Sequence, residues 1–123
     1  MRVLVADDEE DVLRFTKNFL EKKGFTVDTA SNGKEAIELL ELKDYGVVFL
    51  DENMPELTGL EVVEYMKKNG FNSKIVLVTG YTSIKEDLAK LVGVDEYLQK
   101  PIDLEKILSL ANKYNLSFEK EKA

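Results

Sequence analysis

What most constrains this chain is a change of hydrophobic period that recurs five times along it. The short runs "RVLVA" (2–6), "FTVDTA" (25–30), "GVVFL" (46–50), "KIVLVT" (74–79) and "DEYLQ" (95–99) alternate with stretches of helical spacing. Short runs rich in β-branched residues read as strands, and the continuously apolar third run reads as a strand covered on both faces. In "EDVLRFTKNFLEKKG" a helical face is read from Val12, Thr16, Phe19, Leu20 and Lys23, with Gly24 as the stop. "NGKEAIELLEL" (32–42) reads as a second helix. Thr58 followed by Glu61 makes a capping box ahead of Leu60, Val63 and Met66, and Gly70 closes that helix. Ser83 with Glu86 makes another box, opening a helix to about Val92, and Asp103 caps a last helix carrying Leu104, Ile107, Leu108 and Ala111. Five strands alternating with five helices predict one α/β domain over residues 1–116, a parallel sheet with helices on both faces. Residues 117–123 are expected to form a charged, frayed tail.

The balance of residues narrows the function classes. The 123 residues suffice for one sizeable core, and 44% apolar with 33% charged is a globular composition. Seventeen basic against 24 acidic residues give a net charge of -7, which disfavours nucleic acid or an anionic membrane as a direct partner. No cysteine and no histidine are present, so thiol chemistry, imidazole bases and zinc sites are excluded. No run approaches the roughly 18 apolar residues of a membrane span, and a cytoplasmic location is the expectation.

Ligands of open parallel sheets bind beyond the carboxyl ends of the strands, so the residues after each strand outline the site. The first strand ends in Asp7 and Asp8, the third in Asp51 followed by "ENMP", the fourth in Thr79 and Gly80, and the fifth in Lys100 and Pro101. Asp7, Asp8 and Asp51 would each raise the others' pKa, and a hard divalent cation relieves them. Mg²⁺, or Mn²⁺ in its place, fits because it takes few protein carboxylates and keeps several waters. Lys100 supplies a compact positive charge and Thr79 a hydroxyl donor. Together these groups suit a phosphoryl group, with a carboxylate as the acceptor. Each group alone has a blander reading as a cap, a turn or a structural hydroxyl. Glu9, Glu10 and Asp11 are read as compensating the dipole of the first helix.

The ordered set "DD" (7–8), "D-x-N-M-P-x-x-x-G" (Asp51 to Gly59), "V-T-G" ending at Gly80 and "Y-L-Q-K-P" (Tyr97 to Pro101) resembles the receiver domain of bacterial two-component response regulators over essentially the whole chain. The resemblance implies a flavodoxin-like (βα)5 fold with strand order 2-1-3-4-5, and Asp51 as phosphoacceptor. It implies Mg²⁺ held by Asp8, Asp51 and the backbone carbonyl of Asn53, with Asp7 acting mainly through water. Lys100 would pair with Asp51 and then with the phosphoryl oxygens, and the Lys100–Pro101 bond would be cis. Thr79 and Tyr97 would form the switch that reshapes the face of helix four, strand five and helix five. Asn53 and Tyr81 would influence dephosphorylation, a bulky Tyr81 slowing the attacking water. Gly80 and Thr58 depart from the commoner alanine and aspartate.

The implied partners are a sensor histidine kinase or histidine phosphotransfer protein as donor and a downstream protein effector. The domain would be a regulatory phosphoacceptor rather than an enzyme, and a monomer or a phosphorylation-dependent dimer. A phosphatase of the haloacid-dehalogenase type shares the groups but wants its nucleophile after the first strand, as D-x-D. Flavin binding would need a hydroxyl-rich loop where "DDEED" stands, and a degenerate docking module would lack groups that are present here. Single-domain regulators of chemotaxis and sporulation phosphorelays, or a fragment of a longer regulator, are the two readings of the chain's extent. The tail favours the former.

Overall fold

The computed structural model describes residues 1–80 and 86–122. Its elements run β1 (Arg2–Ala6), α1 (Glu10–Lys22), β2 (Thr26–Ala30), α2 (Gly33–Leu42), β3 (Val47–Asp51), α3 (Gly59–Lys68), β4 (Lys74–Thr79), α4 (Glu86–Leu91), β5 (Glu96–Gln99) and α5 (Leu104–Lys122). All strand pairs are parallel, in the order β2-β1-β3-β4-β5, the flavodoxin-like arrangement that the family resemblance implies.

Strand alternation divides the core in two. Leu4, Ala6, Val48, Leu50, Ile75 and Leu77 face α2, α3 and α4, packing on Ala36, Leu40, Val62, Val63, Met66 and Ala89. The intervening Val3, Val5, Val47, Phe49, Val76 and Val78 face α1 and α5, against Leu13, Leu20, Ile107 and Ala111. All five residues of β3 are buried, which is why its sequence is apolar without alternation until Asp51.

The local signals act as their chemistry dictates. The Thr58–Glu61 capping box is formed, with Glu61 N–H donating to Thr58 Oγ1 at 3.2 Å and Thr58 N–H to Glu61 Oε1 at 3.0 Å. Asn32 caps α2 through Glu35 N–H at 2.8 Å, and Asp103 Oδ1 accepts from Glu105 N–H at 3.0 Å ahead of α5. Gly24 stops α1 at φ 99°, a conformation that costs a side-chain-bearing residue.

One reading is corrected. The inward stripe of α1 is Leu13, Thr16 and Leu20, with Val12 and Phe19 flanking it and Lys23 exposed as the C-cap. The phase that picked out Val12 and Lys23 is off by one position, because Leu13, Thr16 and Leu20 repeat at i, i+3 and i+7. α5 runs Leu104–Lys122, so helical backbone covers residues 117–122. The expected Ser83 cap lies outside the described residues.

Candidate functional site

The site lies at the carboxyl edge of the sheet, where backbone bonds continue the ladder past the strand ends. Asp7 N–H donates to Ala30 O at 3.0 Å, Glu52 N–H to Val78 O at 2.9 Å, and Lys100 N–H to Thr79 O at 2.8 Å. These bonds fix the residues that follow β1, β3 and β5 relative to their neighbours before any side chain is considered. Gly59 is needed at close range, since a Cβ there would lie 2.7 Å from the Asp51 carbonyl oxygen and 2.9 Å from Leu77 Cδ1. The first turn of α3 therefore sits directly against the end of β3.

Asp7 and Asp51 are each only 2% exposed, so two carboxylates share one nearly dry floor. Lys100 Nζ bridges them, 3.1 Å from Asp51 Oδ2 and 3.3 Å from Asp7 Oδ2. Asp7 Oδ1 also accepts Glu9 N–H at 2.9 Å, and Asp51 Oδ1 accepts Asn53 N–H at a longer 3.4 Å. Burial, reinforced by repulsion from Asp7, pushes the Asp51 carboxyl up to about 6 despite Lys100 and the Asn53 N–H. Burial raises Asp7 too, against the opposing Glu9 N–H and Lys100. Burial works against the Lys100 ammonium, but its bond to Asp51 and the charges of Asp7 and Asp51 prevail and hold it above the usual lysine range.

The charge is therefore unbalanced. Asp8, exposed at the rim, brings a third carboxylate, and one oxygen from each of Asp7, Asp8 and Asp51 lies within 4.8 Å of the others. One ammonium does not neutralise three carboxylates. An all-oxygen donor set with one solvent-facing member fits a hard divalent cation that retains water.

The remaining predicted residues fall around this centre. Thr79 is fully buried, and its hydroxyl donates to the Gly80 carbonyl at 3.1 Å rather than to Asp51. Tyr97 is half-buried against the α2–α4 side of the core, and its register partner is Leu77, two residues before Thr79. Asn53 is exposed beside Asp51, and the Lys100–Pro101 bond is cis. Tyr81 lies outside the described residues.

One residue was placed elsewhere by the sequence reading. Glu9 is the N-cap of α1, but its side chain makes no cap bond. Its carboxylate reaches over the floor to 3.6 Å from Lys100 Nζ. The signal was present, because the oxygens that cap helices well are those of Asn, Asp, Ser and Thr, and Glu carries its carboxylate a carbon further out.

The sequence model of the response regulator receiver domain matches residues 3–112. Transcriptional regulatory protein TctD of Salmonella typhimurium is 36% identical over 108 residues, covering 87% of this chain and 48% of its own length. The chain thus spans about half the length of the curated relatives it matches. Among solved structures, a Francisella response regulator receiver domain superposes with TM-score 0.87 at 30% identity, covering 94% of this chain and 98% of that one. Response regulator TrrA of Thermotoga maritima, solved in complex with Mg²⁺-BeF, superposes with TM-score 0.81 at 34% identity, covering 92% of this chain and 97% of that one. Sequence and fold agree against the phosphatase reading, and this chain belongs to the receiver domains of two-component response regulators.

Proposed function

We propose that Asp51 is the phosphoacceptor of this receiver domain, and that the donor is a phosphohistidine on a sensor kinase or phosphotransfer protein. The observation that carries the reading is the Lys100 ammonium held within 3.3 Å of both Asp51 and Asp7 on a buried floor. An Asp51 oxygen attacks phosphorus, forming a P–O bond as the P–N bond to the donor imidazole breaks. Lys100, already paired with Asp51, needs little movement to meet the phosphoryl oxygens, and this pre-set charge is where such a site gains rate. Asp7, Asp8, Asp51 and the Asn53 carbonyl would hold Mg²⁺ or Mn²⁺. Bound there, the cation neutralises the carboxylates and the charge on the transferring group.

The same reading assigns Thr79 and Tyr97 to the switch. Phosphorylation would draw the Thr79 hydroxyl from the Gly80 carbonyl toward the new oxygens, and the Tyr97 ring would follow on the same side of the sheet. A protein effector would read the altered α4–β5–α5 face. Asn53 and Tyr81 would set how long the phosphoryl group lasts. The domain would act in the cytoplasm, as a monomer or phosphorylation-dependent dimer. No described helix is long and apolar enough to cross a membrane. The absence of a direct nucleic-acid partner is proposed for this domain alone, because its relatives are about twice as long.

The test is incubation with acetyl phosphate and Mg²⁺, read by intact mass. A single phosphoryl adduct, absent in Asp51→Asn and without metal, is expected; no adduct on the wild type, or an undiminished one on Asp51→Asn, overturns the reading.

A further inference from the structure

We infer that Glu9 is a positioning residue that competes with the incoming phosphoryl group for Lys100 and so restrains phosphorylation of Asp51. The inference rests on the reading of Asp51 as acceptor and adds a residue to it. Three carboxylates surround the Lys100 ammonium, and they are not equivalent. Asp51 and Asp7 are buried and hold it at 3.1 and 3.3 Å, whereas Glu9 is 64% exposed at its side chain and approaches to 3.6 Å from the solvent side. A phosphodonor must arrive through that open side, because the floor is closed by the sheet. Its oxygens need the Lys100 donors that Glu9 engages.

Among the described residues, the Glu9 side chain has no partner other than Lys100. It caps nothing, and its contribution to α1 comes from its backbone, whose carbonyl accepts Leu13 N–H at 3.1 Å and whose N–H donates to Asp7. Those bonds survive substitution of the side chain. When acetyl phosphate reacts, a P–O bond forms to Asp51 while the bond from phosphorus to the acetate oxygen breaks, and acetate leaves with the electron pair. The phosphoryl oxygens then carry the charge that Lys100 must meet, and Glu9 has to give way. An exposed pair at this distance is worth roughly a two- to five-fold change in a rate or an equilibrium.

Contact and bulk charge are separable here. Glu9→Gln removes both. Glu9→Asp keeps the charge but shortens the reach. Glu10→Gln removes one charge from the neighbouring residue, which forms no ion pair with Lys100. The second-order rate of adduct formation from acetyl phosphate and Mg²⁺ is measured by intact mass for all four proteins. An independent readout is the Lys100 Nζ resonance of the metal-free proteins.

The expected result is a roughly two- to five-fold faster rate and a shifted Lys100 resonance in Glu9→Gln and Glu9→Asp, with Glu10→Gln close to wild type in both. Equal rates in Glu9→Gln and wild type, or equal acceleration by Glu10→Gln, overturn the inference while leaving Asp51 as acceptor. Failure of wild type to form any adduct would instead remove the reading beneath it.

Discussion

The middle of the sheet and its β5 edge are built from the same kind of element and held very differently. Every residue of β3 is buried, and Val47, Val48 and Leu50 have no exposed surface. No residue of β5 is fully buried, and the described part of α4 beside it, Glu86–Leu91, leaves Leu88 and Leu91 exposed at 50% and 82%. The acidic floor stands on the first region, and the proposed readout on the second. A new charge at Asp51 meets a fully buried strand, so rearrangement is expected where burial is incomplete. Parity sharpens the contrast. Asp51 follows Val47 and Phe49 on the α1/α5 side, whereas Thr79 and Tyr97 belong to the side covered by α2, α3 and α4. The residue proposed to receive the phosphoryl group and the pair proposed to report it thus use opposite layers of one sheet edge.

The largest effect expected from this comparison is on folding. Leu50→Ala, emptying a fully buried site, should cost about 2–5 kcal/mol, and Leu91→Ala, on the edge helix, within about 0.5 kcal/mol. Denaturant unfolding of both variants checks this, and comparable losses would remove the distinction between floor and edge.

The next effect is electrostatic. With its carboxyl at about 6 rather than 3.8, Asp51 favours its protonated form in the fold. The folded protein therefore binds more protons than the unfolded chain between about pH 4 and pH 6, and stability falls as pH rises through that window. At neutral pH without metal the ionised group costs about 3 kcal/mol at most. Asp51→Asn should unfold at higher temperature than wild type at pH 7 and show a flatter profile from pH 4 to 6. A variant less stable than wild type at pH 7, with the slope unchanged, would mean that Lys100 already compensates the floor. Asp28 behaves oppositely: burial works against its charge, but Tyr45, Lys43 and Arg2 outweigh it and hold the carboxyl below its usual range. Its stabilisation is present above pH 4 and lost only on stronger acidification, so the two carboxylates are read in separate windows.

Cation binding is expected to act through the same floor. At a hundredfold excess over Kd, Mg²⁺ should stabilise wild type by about 2.7 kcal/mol, with most of the gain lost in Asp8→Ala. Melting curves with and without Mg²⁺ decide it, and an undiminished gain in Asp8→Ala would exclude Asp8 as a ligand.

Much of this was legible because strand ends are legible. Asp7, Asp51, Thr79 and Lys100 follow runs whose period marks them as buried strands, and a parallel sheet brings such ends to one edge. The α1 stripe was misphased because Val12 and Leu13 are both aliphatic and only the helix's docking angle chooses between them. Glu9 was passed over by a sound local rule, since an acid at a helix start usually answers the dipole, and the readable hint was only that Glu caps poorly. Its contact with Lys100 spans most of the chain and belongs to the tertiary structure. The knot at Asp28, whose Oδ2 accepts from Arg2 at 3.1 Å, Lys43 at 3.3 Å and Tyr45 at 2.7 Å, was invisible for the same reason. Its partners come from two separate segments, β1 and the α2–β3 connection, with no shared motif.

The most direct test of the contrast between a rigid floor and a responsive edge is amide hydrogen exchange with and without beryllofluoride and Mg²⁺. The account predicts changed protection in peptides covering residues 86–99, with β1 and β3 unaltered beyond the residues touching the ligand. Changes as large across Val3–Val5 and Val47–Leu50, or none at the edge, would contradict it.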